Sequence, residues 1–197
     1  MSVPTPEYSY LNIVVVGEPQ CGKTSLLFAY IKNEFLDEFT ATSYDEQPTL
    51  ILFKSRQYLV SFVDSSGFNG EVNKPLRKTL YNNADFFIVC YAIDDPISLQ
   101  KAESVWIPEI YSFKHDASII LVGTKSDLRD NSINHCPLID HNNLLTKEDG
   151  YNVKRKTHCK LVAETSAKTK EGILEVFNGI YELAIFEQKK EKHCIIL

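Results

Sequence analysis

The segment Gly17-Glu18-Pro19-Gln20-Cys21-Gly22-Lys23-Thr24 has the spacing G-x-x-x-x-G-K-[ST]. These residue types suit the holding of phosphate groups. Glycines let the backbone curl so that several N–H groups point at phosphate oxygens. Lys23 brings a point charge to the outer phosphates, and Thr24 offers a hydroxyl to Mg²⁺. A helix that starts at the lysine adds the favourable end of its dipole. The nucleotide-contacting stretch is expected to run from Glu18 through Ser25. By itself this loop would serve an ATPase or a nucleotide kinase equally well.

Two later segments bear on the base. Thr124-Lys125-Ser126-Asp127-Leu128 follows the apolar run Ile119 to Val122, and Thr165-Ser166-Ala167-Lys168 follows Lys160 to Ala163. Guanine presents an N1–H and an exocyclic amine side by side. A carboxylate accepts both bonds, whereas adenine offers no such pair of donors. Asp127 is that carboxylate by position, the stem of Lys125 can lie over the purine face, and the backbone N–H of Ala167 can donate to the guanine oxygen.

These motifs need strands behind them, and the pattern supplies strands. Leu11 to Val16 is a β-branched apolar run ending at Gly17, and Lys23 to Lys32 follows with helical spacing of Leu26, Leu27, Tyr30 and Ile31. Thr49 to Phe53 and Tyr58 to Val63 read as a hairpin. Ser65 to Lys78, with Gly67, Gly70 and Pro75, reads as loop with at most a short helix. Phe86 to Ala92 is a buried strand, and Asp95-Pro96 opens a helix to about Phe113. Thr146 with Asp149 can cap another helix. Glu171 to Gln188 carries a strongly amphipathic pattern. Strand-then-helix units predict an α/β domain with a mostly parallel sheet, in which ligands sit at the carboxyl ends of strands.

The 197 residues suggest one domain with a tail. The net charge of −5 does not advertise nucleic acid as a partner. No run approaches the ~18 apolar residues of a membrane span, and the first ten residues lack the features of a secretory signal. Five cysteines in such a chain read as reduced thiols of a cytosolic protein. The spacings among His135, Cys136, His141, His158 and Cys159 match no paired zinc-ligand pattern.

From about residue 10 to the end, these motifs resemble the Ras superfamily of small GTPases. The resemblance implies a P-loop G domain, with a six-stranded, mostly parallel sheet flanked by helices, that binds GTP or GDP with Mg²⁺. Within that superfamily the chain looks like a Rho protein. Thr124 stands where most relatives have Asn before K-x-D, Trp106-Ile107-Pro108-Glu109 matches a W-x-P-E, and the polar stretch from about 131 to 143 matches a Rho-type insert. The implied organisation is an N-terminal extension (1–9), a G domain (10–186) and a tail (187–197).

Family matching places a first switch around Glu38 to Thr42, with Thr42 touching Mg²⁺ and the γ-phosphate, and makes Phe35 the aromatic that covers the guanine. Asp64 would hold Mg²⁺ through water, and the N–H of Gly67 would reach the γ-phosphate. The second switch, Asp64-Ser65-Ser66-Gly67-Phe68-Asn69, departs from D-T-A-G-Q-E at four positions. Phe68 replaces the Gln that orients the attacking water, and Phe has neither donor nor acceptor. Pro19 replaces the glycine usual at the third position of the phosphate loop. Together these look like the Rnd subgroup, so no catalytic residue is assigned and hydrolysis is expected to be low. The alternative is a conventional protein that cycles between GTP and GDP with an activating partner. The chain ends Cys194-Ile195-Ile196-Leu197, a pattern for geranylgeranylation of Cys194, beside Lys189, Lys190 and Lys192. The expected partners are effectors and exchange factors at the switch loops, and a membrane at the tail. The expected location is the cytoplasmic face of a membrane, the plasma membrane first, with the cytoskeleton as the implied theme.

Overall fold

The computed structural model describes residues 8–35, 47–65, 73–129 and 143–194. A single six-stranded sheet runs in the order β2-β3-β1-β4-β5-β6. Its strands are β1 (Ser9–Gly17), β2 (Thr49–Phe53), β3 (Arg56–Asp64), β4 (Phe86–Ala92), β5 (Ser118–Thr124) and β6 (Leu161–Glu164). All neighbouring pairs are parallel except β2 with β3, the expected hairpin. β4 and β5 are buried at every position, as a parallel strand covered on both faces must be.

The helices are α1 (Lys23–Lys32), α2 (Lys74–Asn83), α3 (Pro96–Lys101), α4 (Ile107–Phe113), α5 (Lys147–Thr157) and α6 (Ile173–Cys194). They cover the two faces of the sheet and divide its core in two. One half packs Ile13, Val15, Ile88 and Val122 against α1 and α6, through Leu26, Leu27, Phe177, Ile180 and Tyr181. Tyr30 of α1 stacks on Phe177 of α6 with ring centroids 3.6 Å apart. The other half packs Val14, Val16, Val89 and Leu121 against Tyr81, Leu99, Trp106, Ile110 and Val153. Neighbouring residues of β1 therefore serve opposite layers, as a strand's two-residue period requires. No helix among the described residues is long and apolar enough to cross a membrane.

Two elements differ from the sequence reading. The ten-residue helix α2 begins inside the stretch 65–78, read as loop with at most a short helix, and runs five residues past it, with Pro75 in its first turn, where a missing N–H costs nothing. The residues α2 buries are Arg77 and Tyr81, one turn apart. A buried charge and a phenol leave almost no apolar period to detect. The second difference lies in the helix from Pro96. It reaches Phe113 as expected, but Ala102–Trp106 is a π-helical turn in which the N–H of Ile107 bonds the carbonyl of Ala102. The wider turn lies just before Pro108, whose ring an uninterrupted α-helix would have to accommodate in its interior. The expected cap of α5 is present: Thr146 Oγ1 accepts from the N–H of Asp149, and Asp149 Oδ2 accepts from the N–H of Thr146 at 2.7 Å.

Candidate functional site

The carboxyl ends of β1, β3, β4, β5 and β6 converge on one rim, and the sequence motifs lie there. β1 ends at Gly17, whose φ of +144° and surroundings exclude a side chain. A Cβ at this position would stand 2.4 Å from the carbonyl oxygen of Cys90. Gly22, at φ +87°, closes the loop and precedes α1 with no side-chain cap. The first N–H groups of that ten-residue helix thus open toward the loop with the positive end of the helix dipole. Lys23 is buried, and its Nζ donates to the carbonyls of Gly17 (3.0 Å) and Glu18 (2.8 Å). Lysine and backbone together form a cationic, donor-rich cradle. Pro19 and Gln20 are exposed at its lip, and Ser25 is half-buried in the first turn of α1.

Thr24 Oγ1 donates directly to Asp64 Oδ2. Asp64 ends β3 and is buried beside Ser65, whose Oγ is buried with no hydrogen-bond partner among the described residues. A hydroxyl, a carboxylate and an orphaned hydroxyl are hard oxygen donors of the kind Mg²⁺ takes. The residues fit that ion, and Thr24 and Asp64 would hold it.

Cys21 lies under the loop with its Sγ 3.5 Å from the Cys90 carbonyl. Burial is the main cause that pushes its thiol up to about 11, and nearby Lys23 offsets only part of it. At neutral pH it is a packed thiol, not a nucleophile.

The second half of the site is built from β5 and β6. Thr124 Oγ1, at the end of β5, donates to the carbonyl of Cys21 at 2.6 Å and lies 3.1 Å from that of Tyr91. One hydroxyl thereby joins the Thr124 loop to the phosphate loop. The N–H of Ser126 bonds the carbonyl of Thr165, and the N–H of Thr165 bonds that of Gly123, which zips the loops after β5 and β6 together. Within this zip Asp127 is 8% exposed, and its Oδ1 accepts from Ser166 Oγ at 2.6 Å. Ser166 is itself fully buried and also accepts from the N–H of Thr169. Ser166 thus orients the Asp127 carboxylate through Oδ1. Lys125 has φ +62°, and its Nζ is paired with Asp94 at 3.0 Å, so its stem is stretched across the rim. Ala167 is half-buried at the turn after Ser166, Lys168 is exposed, and Leu128, in the 3₁₀ turn Ser126–Arg129, packs against the core half that holds Val89 and Leu121.

Phosphate cradle, hard oxygen donors and a fixed carboxylate stand along one edge of the sheet. The sequence profile of the Ras family matches residues 12–185. The chain belongs to the Ras family of small GTPases. Over 167 residues it is 32% identical to the Ras-like GTP-binding protein RhoL of Drosophila melanogaster, which spans 85% of this chain and 83% of that protein. Members of this family generally bind guanine nucleotides with Mg²⁺.

Phe35, Thr42, Gly67 and Phe68 complete the set expected for a Ras-family site. Phe35 is 39% exposed at the end of a described segment, and Lys170 Nζ bonds the carbonyl of Asn33 just before it, tying that segment to the loop after β6. Thr42, Gly67 and Phe68, His135, Cys136 and His141, and nearly all of the 131–143 insert lie outside the described residues. Cys194 is the last residue of α6.

The G domain also contains a cluster beside the phosphate loop that sequence reasoning missed. Arg77 of α2 makes a bidentate pair with Glu109 of α4, Nε to Oε1 and Nη2 to Oε2, both at 2.7 Å. Both side chains are buried, 3% and 6% exposed. Tyr81 Oη donates to Glu109 Oε1 at 3.1 Å. The Arg77 guanidinium lies 5.4 Å from the centroid of the Trp106 ring, and Trp106 Nε1 donates to Glu18 Oε1 at 2.9 Å. Burial acts to raise the Glu109 carboxyl, but the hydrogen bonds and charge of Arg77, with the bond from Tyr81, outweigh it and hold it below the usual carboxylate value. The W-x-P-E motif was a usable signal for Trp106 and Glu109. Nothing local signalled Arg77.

Proposed function

We propose that this Ras-family protein is a Rho-like GTP-binding signalling switch that hydrolyses GTP poorly and spends most of its time GTP-bound. The observation that carries the guanine reading is the Asp127 carboxylate, buried at the rim and oriented by Ser166. An ionised carboxylate has about four acceptor sites, enough to serve Ser166 and the two adjacent donors of guanine. The Thr124 hydroxyl keeps that reader in register with the phosphate loop. Lys23 and the N-terminus of α1 would neutralise the phosphates, and Thr24 and Asp64 would hold Mg²⁺. When bound there, the ion would offset phosphate charge.

Impaired hydrolysis rests on Phe68. In-line attack at the γ-phosphorus needs a water held by an acceptor or donor, and a benzyl side chain supplies neither. An activating partner contributes about 10⁵ in rate to GTPases that have the water-orienting Gln. The Rho-like assignment rests on Thr124, Trp106 and Glu109, and on the 32% identity to RhoL. In this reading residues 10–186 are the switch and 187–197 the tail, lipidated at Cys194, which brings the protein reversibly to a membrane where effectors read the GTP-bound loops. A single lipid gives marginal anchoring, and Lys189, Lys190 and Lys192 would supply the second signal.

The test is single-turnover hydrolysis of GTP loaded on the purified protein, beside Phe68→Gln. Slow hydrolysis in the natural chain and a gain of ten-fold or more in Phe68→Gln is the expected outcome. Rapid hydrolysis by the natural chain refutes the impaired reading. Binding of ATP as tightly as GTP refutes the guanine reading.

A further inference from the structure

Glu18 is the one acidic residue of the phosphate loop. A carboxylate free to swing beside bound phosphates would oppose them by direct repulsion. In this fold it is not free to swing. Trp106 Nε1 donates to Glu18 Oε1 at 2.9 Å, and Trp106 is 4% exposed at the end of the π-helical turn. The indole is backed in turn by the Arg77 guanidinium, which is fixed by its pair with Glu109.

We propose that Trp106 is a positioning residue of the nucleotide site: its indole N–H holds the Glu18 carboxylate against the π-helical segment and off the phosphates, and α2 braces the indole through Arg77. The π turn belongs to the same device, since the wider turn sets the direction in which residue 106 leaves the helix. The inference rests on the guanine-nucleotide reading above.

The experiment is a double-mutant cycle on the full chain, with dissociation constants for a fluorescent GTP analogue in Mg²⁺ buffer for the natural protein, Trp106→Phe, Glu18→Gln and the double variant. Phe retains most of the buried ring but has no donor. Trp106→Phe should weaken GTP binding about ten-fold where Glu18 is present, the scale of one hydrogen bond to a charged group. It should change binding less than about two-fold where residue 18 is neutral. The same cycle with the GDP analogue should give a smaller coupling, because one phosphate is absent. Equal effects of Trp106→Phe in both backgrounds overturn the proposal and leave Trp106 a packing residue.

A second reading needs no change at Trp106. The chain has one tryptophan, so a ¹H–¹⁵N spectrum has one indole signal. Glu18→Gln should move that signal upfield as a charged acceptor becomes neutral, and an unmoved signal overturns the proposal. If the natural protein binds no guanine nucleotide, the function proposed above fails, and the indole signal still reports whether the Glu18 contact exists.

Discussion

Replacing Arg77 by Met tests how α2 is held. Met fills much of the side-chain volume but removes both hydrogen bonds and the charge. Among the described residues Glu109 would keep Tyr81 as its hydrogen-bond donor, with Lys74 as the nearby positive charge. Breaking a buried ion pair from one side costs about 3–5 kcal/mol, because the remaining charge is left uncompensated. In a domain of this size 1 kcal/mol corresponds to about 2–4 °C in melting temperature, so a fall of at least about 6 °C is expected. The pH dependence supplies a sign that a packing defect would not show. In the natural protein the Glu109 carboxyl is held below its ordinary value. Its contribution to stability is therefore complete above the unfolded-state value, near 4.3, and is lost as pH falls through the folded-state value. In Arg77→Met the unpaired, buried carboxyl titrates higher than normal, so acidification relieves the variant. The stability gap between the two proteins should narrow from pH 7 toward pH 4. Urea unfolding at several pH values, with nucleotide saturating, measures it. A cost under about 1 kcal/mol at pH 7, or a gap independent of pH, would refute the account of Glu109 as a buried ionised partner. Arg77→Met with Glu109→Leu should be more stable than Arg77→Met alone, since the orphaned charge is gone.

Asp127→Ala removes the two carboxylate oxygens proposed to read the base. Two hydrogen bonds to a charged group correspond to roughly 10²–10⁴ in affinity, so GTP binding should fall by at least 100-fold in competition assays and preference over ATP should vanish. Retained selectivity would contradict the role given to Asp127. Thr146→Ala removes one half of the capping box of α5 and should cost about 1 kcal/mol in urea unfolding without changing nucleotide affinity. Cys194→Ser should move the protein from the membrane fraction to the supernatant on cell fractionation, and unchanged partitioning would reject lipidation at that residue.

Much of the site was legible because its chemistry is local. Gly17 to Thr24 fall within one turn and one helix start, and only Gly fits where the Cys90 carbonyl comes within 2.4 Å of a Cβ position. The apolar runs behind the motifs named the strands, since a strand buried on both faces must be apolar throughout. α2 escaped notice because what it buries is Arg77 and Tyr81. Their partner Glu109 is 32 residues from Arg77, a distance that no periodicity spans.

The residue types at 17–24, 124–127 and 166–168 pointed to the ligand class, because hydrogen-bonding capacity and charge belong to side chains before they fold. What folding added was partnership. It turned Ser166 onto Asp127, drew Thr124 across to Cys21, and set Trp106 between Arg77 and Glu18. Each of those contacts joins residues dozens of positions apart, and only the parallel stacking of the strands brings their ends to one rim.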